Sequence, residues 1–176
     1  MEDLEVPTEQ LQETLHEGAH GGPPWASGAA LSSALIAVLA AVSALLAGHH
    51  ANEAMIDQMR ATDNWSFYQA KGIKAAVLKT KDETLVALGK PTSAEDLQHA
   101  AQYEKDQEQI QDKAKEEEHA SAEHLERHNA LARVVTLYQV GIAMAAISVL
   151  GRRKWLWFFS LALGATASTL FILALR

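Results

Sequence analysis

Residues 26–48 read ASGAALSSALIAVLAAVSALLAG, a run of 23 residues without a charged side chain. An α-helix needs roughly 20 consecutive apolar residues to cross the hydrocarbon layer of a bilayer. A cleaved signal peptide does not fit, because the run is longer than a typical signal core and no Lys or Arg precedes it. The run therefore predicts a first transmembrane helix.

Two further apolar segments follow near the end of the chain. Residues 155–175 read WLWFFSLALGATASTLFILAL, with aromatic residues at the start, where a membrane interface favours them. Residues 131–150 read LARVVTLYQVGIAMAAISVL and include Arg133 and Gln139. A core helix of a soluble protein is the alternative for this segment, but a chain of 176 residues offers no soluble core to enclose it. The sequence predicts three membrane crossings, surrounded by lipid.

The flanking charges suggest an orientation. The turn at 151–154 reads GRRK, and short loops rich in Lys and Arg stay in the cytoplasm. This places the N-terminus inside and residues 49–130 outside. The tail at 1–25 has six acidic and no basic residues, which fits either a solvated tail or a docking element for a partner. Cysteine is absent, so it gives no information about the redox compartment.

Between the first two crossings, residues 49–130 contain one strong helix break, GKPT at 89–92. Glycine followed by proline ends a helix, and Thr92 or Ser93 with an acidic residue three positions later starts one. The arms on either side have about 40 and 38 residues, so each reaches about 60 Å as a helix. The predicted fold is an all-α membrane protein with three transmembrane helices and a long antiparallel, coiled-coil-like hairpin, its tip at 89–92.

Both arms carry residues at helical spacing that could pack against each other. The second arm has a thin, polar heptad stripe, and the first arm has a richer apolar set. Six basic and five acidic residues on the first arm face four basic and eleven acidic residues on the second. Exposed ion pairs contribute only about 0–1 kcal/mol each, so we expect neighbouring copies to stabilise the hairpin. The second-arm stripe is Tyr103, Gln107, Ile110, Ala114, Glu117, Ser121, His124, His128, Leu131, Val135 and Tyr138, and the first-arm set is Ile56, Met59, Ala70, Ile73, Val77, Leu85 and Leu88.

Small residues recur at spacings of four in the first crossing, including Ala40, Ala44 and Gly48. Small faces allow close helix contact in lipid. They indicate a homo-oligomer or a subunit of a larger membrane complex, although packing among the three helices of one chain could also use them.

Folding the hairpin about Pro91 places Glu53 opposite His128 and Asp57 opposite His124. His124 and His128 share one helix face at a spacing of four, as do Glu53 and Asp57, and this pattern can hold a transition metal. The same four residues could sense pH, since histidine titrates near neutrality. Ordinary hydrogen bonds between solvated arms are the third interpretation. Which cofactor, if any, the chain binds stays unknown.

Other chemistry has no support in the sequence. It contains no glycine-rich phosphate loop, no cysteine nucleophile and no Gly-x-Ser-x-Gly motif, so we expect no enzyme activity. A net charge of -7 disfavours nucleic acid as a partner. A structural, scaffold or accessory membrane component is therefore the first functional hypothesis. The alternative is an oligomeric transport or sensing assembly with a metal- or proton-responsive cluster at the membrane surface.

Several stretches resemble a known family: MEDLEVPTEQLQE at the start, AAVSALLAGHHANEAM, YQAKGIKAA, and LARVVTLYQVGIAMAAISVLGRR. They are similar to bacterial inner-membrane proteins of domain-of-unknown-function family 4337. The resemblance covers almost the whole chain and implies a multi-pass protein of the bacterial inner membrane. It implies no activity.

Overall fold

A computed structural model of the chain describes Glu13 and residues 24–175. Within residues 24–175 it contains three α-helices and no strand: α1 at Ala26–Ala87, α2 at Ala94–Leu150 and α3 at Lys154–Ala174. The acidic tail expected at 1–25 lies outside the described residues, apart from Glu13, Pro24 and Trp25. Each of the three helices contains a stretch long and apolar enough to cross a membrane. The described chain is therefore all-α, as expected for a multi-pass membrane protein.

The break between α1 and α2 follows from local sequence chemistry. Gly89 adopts a positive φ of 67°, and the amide of Lys90 bonds the Leu85 carbonyl over 2.8 Å. This is a glycine-terminated C-cap, in which backbone amides beyond the helix donate hydrogen bonds to its last carbonyls. At the start of α2, the Ser93 hydroxyl accepts the amide of Asp96 over 3.3 Å, so Ser93 is the N-cap residue. The break thus lies at the glycine–proline pair that marks it in the sequence.

A turn of three residues joins α2 to α3. The amide of Gly151 bonds the Ile147 carbonyl over 2.8 Å, and the amide of Arg153 bonds the Ser148 carbonyl over 2.9 Å. Arg152 has a positive φ of 51°, which is uncommon for a residue with a side chain. The turn therefore holds the basic residues Arg152 and Arg153 next to Lys154, the first residue of α3.

The chain divides into two compact units. The apolar unit comprises the described residues up to His50 and from Glu126 onward, and the charged unit comprises Ala51–Leu125. In the apolar unit, segments of all three helices share one core, while many large apolar side chains of their outer faces are exposed, as lipid contact requires. The core residues are Ile36, Ala40, Val134, Tyr138, Ile142 and Ala167.

Polar side chains tie the helices of the apolar unit together. The Ser160 hydroxyl donates to the Gly141 carbonyl over 2.7 Å. The hydroxyls of Tyr138 and Ser168 lie 3.0 Å apart. Hydrogen bonds between transmembrane helices contribute about 0.6 to 2 kcal/mol each, so they supplement the packing of the apolar core.

In the charged unit, the residues that α1 and α2 bury are mostly small. Along each helix, successive buried residues are three, four, seven or fourteen positions apart, as in a heptad pattern. Alanine allows two helix backbones to approach closely, and its burial removes little apolar surface from water. The buried positions are Ala54, Asp57, Ala61, Ala75 and Asp82 on α1, and Ala100, Ala114 and Ser121 on α2.

The two arms differ in how well their sequence patterns predicted burial. On α2, every member of the stripe from Tyr103 to Tyr138 is buried or half-buried, so that face is confirmed. On α1, the expected apolar face was largely wrong, because Met59, Ile73 and Val77 are exposed. Their places in the buried stripe are taken by alanines. The physical reason is close helix approach, which favours small side chains over large apolar ones at the contact.

Candidate histidine and carboxylate site

Asp57 and His124 form the centre of the candidate site in the charged unit. Asp57 lies on the buried stripe of α1 and is only 6% exposed, and the half-buried His124 lies on the buried stripe of α2. The His124 Nε2 and the Asp57 Oδ2 are 4.0 Å apart. Folding the sequence back about Pro91 pairs Asp57 with His124, and the structure places these two residues together.

Arg60 is a neighbour of Asp57 that the sequence pattern did not single out. Its guanidinium Nη1 donates to the Asp57 Oδ1 over 3.1 Å, three residues along the same helix. Spacing of an acidic and a basic residue by three positions is the signal that could have found it. Because Arg60 carries a permanent positive charge, Asp57 is already partly neutralised, and a divalent cation at this carboxylate would lie near that charge.

His128 belongs to the apolar unit and has a defined hydrogen bond there. Its Nδ1 lies 2.8 Å from the carbonyl oxygen of Ala47. A carbonyl oxygen can only accept, so the ring carries its proton on Nδ1 in this contact. This contact leaves Nε2 as the ring nitrogen that could bind a metal or a proton.

The remaining predicted ligand, Glu53, is half-buried in the charged unit. His49 and His50 belong to the same apolar unit as His128, and the centroids of their two rings lie 5.5 Å apart. Among the described residues, no group of three or more His, Asp or Glu side chains has a geometry suited to a metal ion. Metal binding by His124, His128, Glu53 and Asp57 stays a prediction.

A second polar cluster links α1 to α2 further along the charged unit. The Lys71 ammonium donates to the Asp106 Oδ2 over 2.6 Å and lies 4.9 Å from the centre of the Tyr103 ring. Hydrogen bonds from Lys71 and then Gln102 hold the pKa of Asp106 below its ordinary value of 3.8. The cluster thus favours a charged carboxylate at Asp106.

Ion pairs continue from this cluster toward the helix break. Lys79 bonds Glu104, and Lys81 bonds Asp96. The Asp96 carboxylate raises the pKa of Lys81 through their hydrogen bond and its negative charge. In the opposite direction along α1, the Trp65 indole donates to Glu118 over 2.8 Å. Aromatic and lysine side chains within residues 65–74, Trp65 and Lys71 among them, therefore make contacts between α1 and α2, whereas Phe67 is exposed.

Comparison with known families supplies the last observation. A family model described as "Domain of unknown function (DUF4337)" matches residues 25–176. The chain belongs to this family. The match covers all three helices of the DUF4337 chain, and it names no activity or ligand. Comparisons with the curated proteins and with the solved structures found no match.

Proposed function

We propose that this DUF4337 protein is a non-enzymatic integral membrane protein with a structural or accessory role. In this proposal the three apolar helices cross the membrane. The charged unit forms an antiparallel, coiled-coil-like hairpin outside the bilayer. The chain assembles with its own copies or joins a larger membrane complex, to which the hairpin contributes a rigid arm.

The observation that carries this proposal is the series of contacts between α1 and α2 in the charged unit. Six polar contacts are spread along the two arms. As the position in α1 advances from one contact to the next, the position of its partner in α2 decreases, as in antiparallel helices. Such a series supports a stiff arm, since no single exposed pair contributes more than about 1 kcal/mol. The contacts are Ala54–Ser121, Trp65–Glu118, Tyr68–Gln107, Lys71–Asp106, Lys79–Glu104 and Lys81–Asp96.

For location, we propose the bacterial inner membrane, with the N-terminus in the cytoplasm and the hairpin on the other side. The support is the short turn with Arg152 and Arg153 beside Lys154, because positively charged short loops are retained in the cytoplasm. With this turn inside, the segment between the first two crossings lies outside.

The test is to extract the full chain from its membrane in a mild detergent and to measure the protein mass of the particle. The proposal expects more than one polypeptide in each particle, either several copies of this chain or this chain with a partner. The assembly role would be refuted by a particle that contains one copy of this chain and no other polypeptide, when the protein is kept at the concentration found in the membrane.

A second candidate function is a metal- or proton-responsive assembly, and the contact between Asp57 and His124 favours it. We would load the purified full chain with Zn²⁺ and measure bound metal by mass spectrometry. The hypothesis expects stoichiometric Zn²⁺ that His124→Ala removes, whereas His119→Ala, an exposed histidine 3.3 Å from Glu123, leaves it in place. Absence of stoichiometric Zn²⁺, together with no change in particle mass between pH 5 and 8, would eliminate this candidate.

A further inference from the structure

The first arm of the charged unit has one face on which the side chains are all exposed in the described part of the chain. We name it the outer stripe and define it as Met55, Met59, Thr62, Ser66, Ile73 and Val77. Successive members are four, three, four, seven and four residues apart, so they lie on one side of the helix. The four apolar members are 55% to 65% exposed. An exposed row of large apolar side chains on a helix indicates a contact surface.

The hydroxyl groups of the outer stripe already have hydrogen-bond partners. Thr62 donates to the Gln58 carbonyl over 2.8 Å, and Ser66 donates to the Thr62 carbonyl over 3.0 Å. A buried hydroxyl costs free energy mainly when it lacks a partner. Because these hydroxyls are satisfied by their own helix, the stripe can be covered by another surface at little polar cost.

Charge separates the outer stripe from the rest of the unit. Residues 51–125 contain nine basic and fifteen acidic side chains, a net charge of -6 from 9 minus 15. The stripe contains none of these 24 charges, and the same side of the helix continues with Thr80 and Thr84. Beside Met55 and Met59 the surface is slightly concave, with Asp63 at its edge.

The absence of charge on the stripe specifies its occupant. All copies of a membrane protein are inserted in the same orientation, so a two-fold axis between two copies runs along the membrane normal. In a pair related by this axis, the equivalent helices are parallel and each residue near the axis meets its own counterpart. Any charged residue there would face an identical charge, and such a pair is destabilising.

We propose that the outer stripe is the docking surface for a second copy of this chain, with the two α1 arms parallel and in register. The inference rests on the assembly role proposed above and identifies its contact. A different protein could carry charges complementary to this acidic unit, so it would not require a face free of charge. Self-docking does require one, and the stripe meets that requirement over residues 55–77.

The chain has no cysteine, which makes cross-linking a direct test. We would place single cysteines at Met59 and Ile73 in the full chain and oxidise intact membranes mildly. In-register pairing places each cysteine next to its own copy, so disulfide-linked dimers should form at both positions. Gln109→Cys, at an exposed position of α2, is the matched control and should remain monomeric on denaturing gels.

A charge variant tests the same contact without covalent trapping. Ile73→Glu should weaken self-association of the detergent-extracted chain about tenfold or more, because two glutamates would face each other across the axis. Leu97→Glu, an equally simple change at a half-exposed apolar residue of α2, should leave it unchanged. Helicity and thermal unfolding of each variant show whether the chain still folds.

The outcomes distinguish this inference from the proposed function. If the native chain forms an oligomer but Gln109→Cys cross-links while the stripe cysteines do not, the stripe assignment is wrong and the assembly role stands. The same holds if Ile73→Glu releases a different polypeptide and leaves the copies of this chain together. If the native particle holds one copy and no partner, both proposals fail.

Discussion

The hydroxyl of Ser121 on α2 donates a hydrogen bond of 2.8 Å to the backbone carbonyl of Ala54 on α1, 67 residues away in sequence. A side chain as short as serine reaches a helical carbonyl of another helix only when the two backbones are close. Both residues are buried, at 8% and 7% exposure. The contact therefore records the close approach that the alanines of the charged unit permit.

Removing this hydroxyl should have a measurable cost. Ser121→Ala should lower the free energy of unfolding by about 1 kcal/mol, the usual net contribution of an intramolecular hydrogen bond. The measurement is thermal or denaturant unfolding of the full chain in detergent, followed by helical circular dichroism. Thr136→Ala, at an exposed position of α2 that bonds its own helix, should change stability by only a few tenths of a kcal/mol. Equal losses for both variants would contradict a role for the Ser121 contact between helices.

Two adjacent alanines test the close packing itself. Ala75 is buried, with 4% of its surface exposed, whereas Ala76, the next residue of the same helix, is exposed. Ala75→Leu should destabilise the chain by about 1–3 kcal/mol, because the added atoms force the helices apart. Ala76→Leu has the same helix propensity change and should be close to neutral. If the two variants unfold alike, the helices are not closely packed at Ala75.

Asp82 is a buried carboxylate whose position predicts a gain in stability on mutation. It is 6% exposed, and neither of its oxygens has a hydrogen-bond partner among the described residues. Asp82→Leu should raise the free energy of unfolding by about 1–3 kcal/mol, because a buried polar group without a partner is removed. Glu83→Leu, at the exposed next residue, is the control and should be within about 0.5 kcal/mol of the native chain. A loss of stability in Asp82→Leu would mean that the carboxylate has a stabilising role.

The ion pair of Lys71 and Asp106 predicts a pH dependence. Because the pKa of Asp106 in the folded chain is below 3.8, the pair contributes stability above that value and loses it as the pH falls from about 3.8 through the folded pKa. Carbon-detected NMR titration of the Asp106 carboxyl should give a midpoint under 3.8. Lys71→Met should move it upward, whereas Lys115→Met, at an exposed lysine elsewhere on α2, should not. An unchanged midpoint in Lys71→Met would contradict the assigned cause.

The proposed orientation of the chain can be tested by labelling. A single cysteine at Lys90, in the helix break, should react with a membrane-impermeant maleimide added to cells whose outer membrane has been permeabilised. A single cysteine at Arg152, in the basic turn, should react only after the inner membrane is opened. The reverse pattern would overturn the proposed orientation and leave the fold unaffected.

Much of the fold was predictable because its signals are local. A mostly apolar run of roughly 20 residues can cross a bilayer whatever surrounds it, and α1, α2 and α3 each contain a stretch that is long and apolar enough. The helix break likewise depends on neighbours in sequence, since Gly89 takes the positive φ and Ser93 caps α2. For the candidate site, folding the chain back at this break was sufficient to pair Asp57 with His124.

The sequence by itself determined where helices run, where they stop and which face of α2 is buried, because propensity, capping and length act over a few residues. Only the tertiary structure decided which face of α1 is buried. Apolar size favoured Met59, Ile73 and Val77, but the distance between the two backbones favoured Ala54, Ala61 and Ala75. That distance depends on both helices together, so no pattern within one of them could specify it.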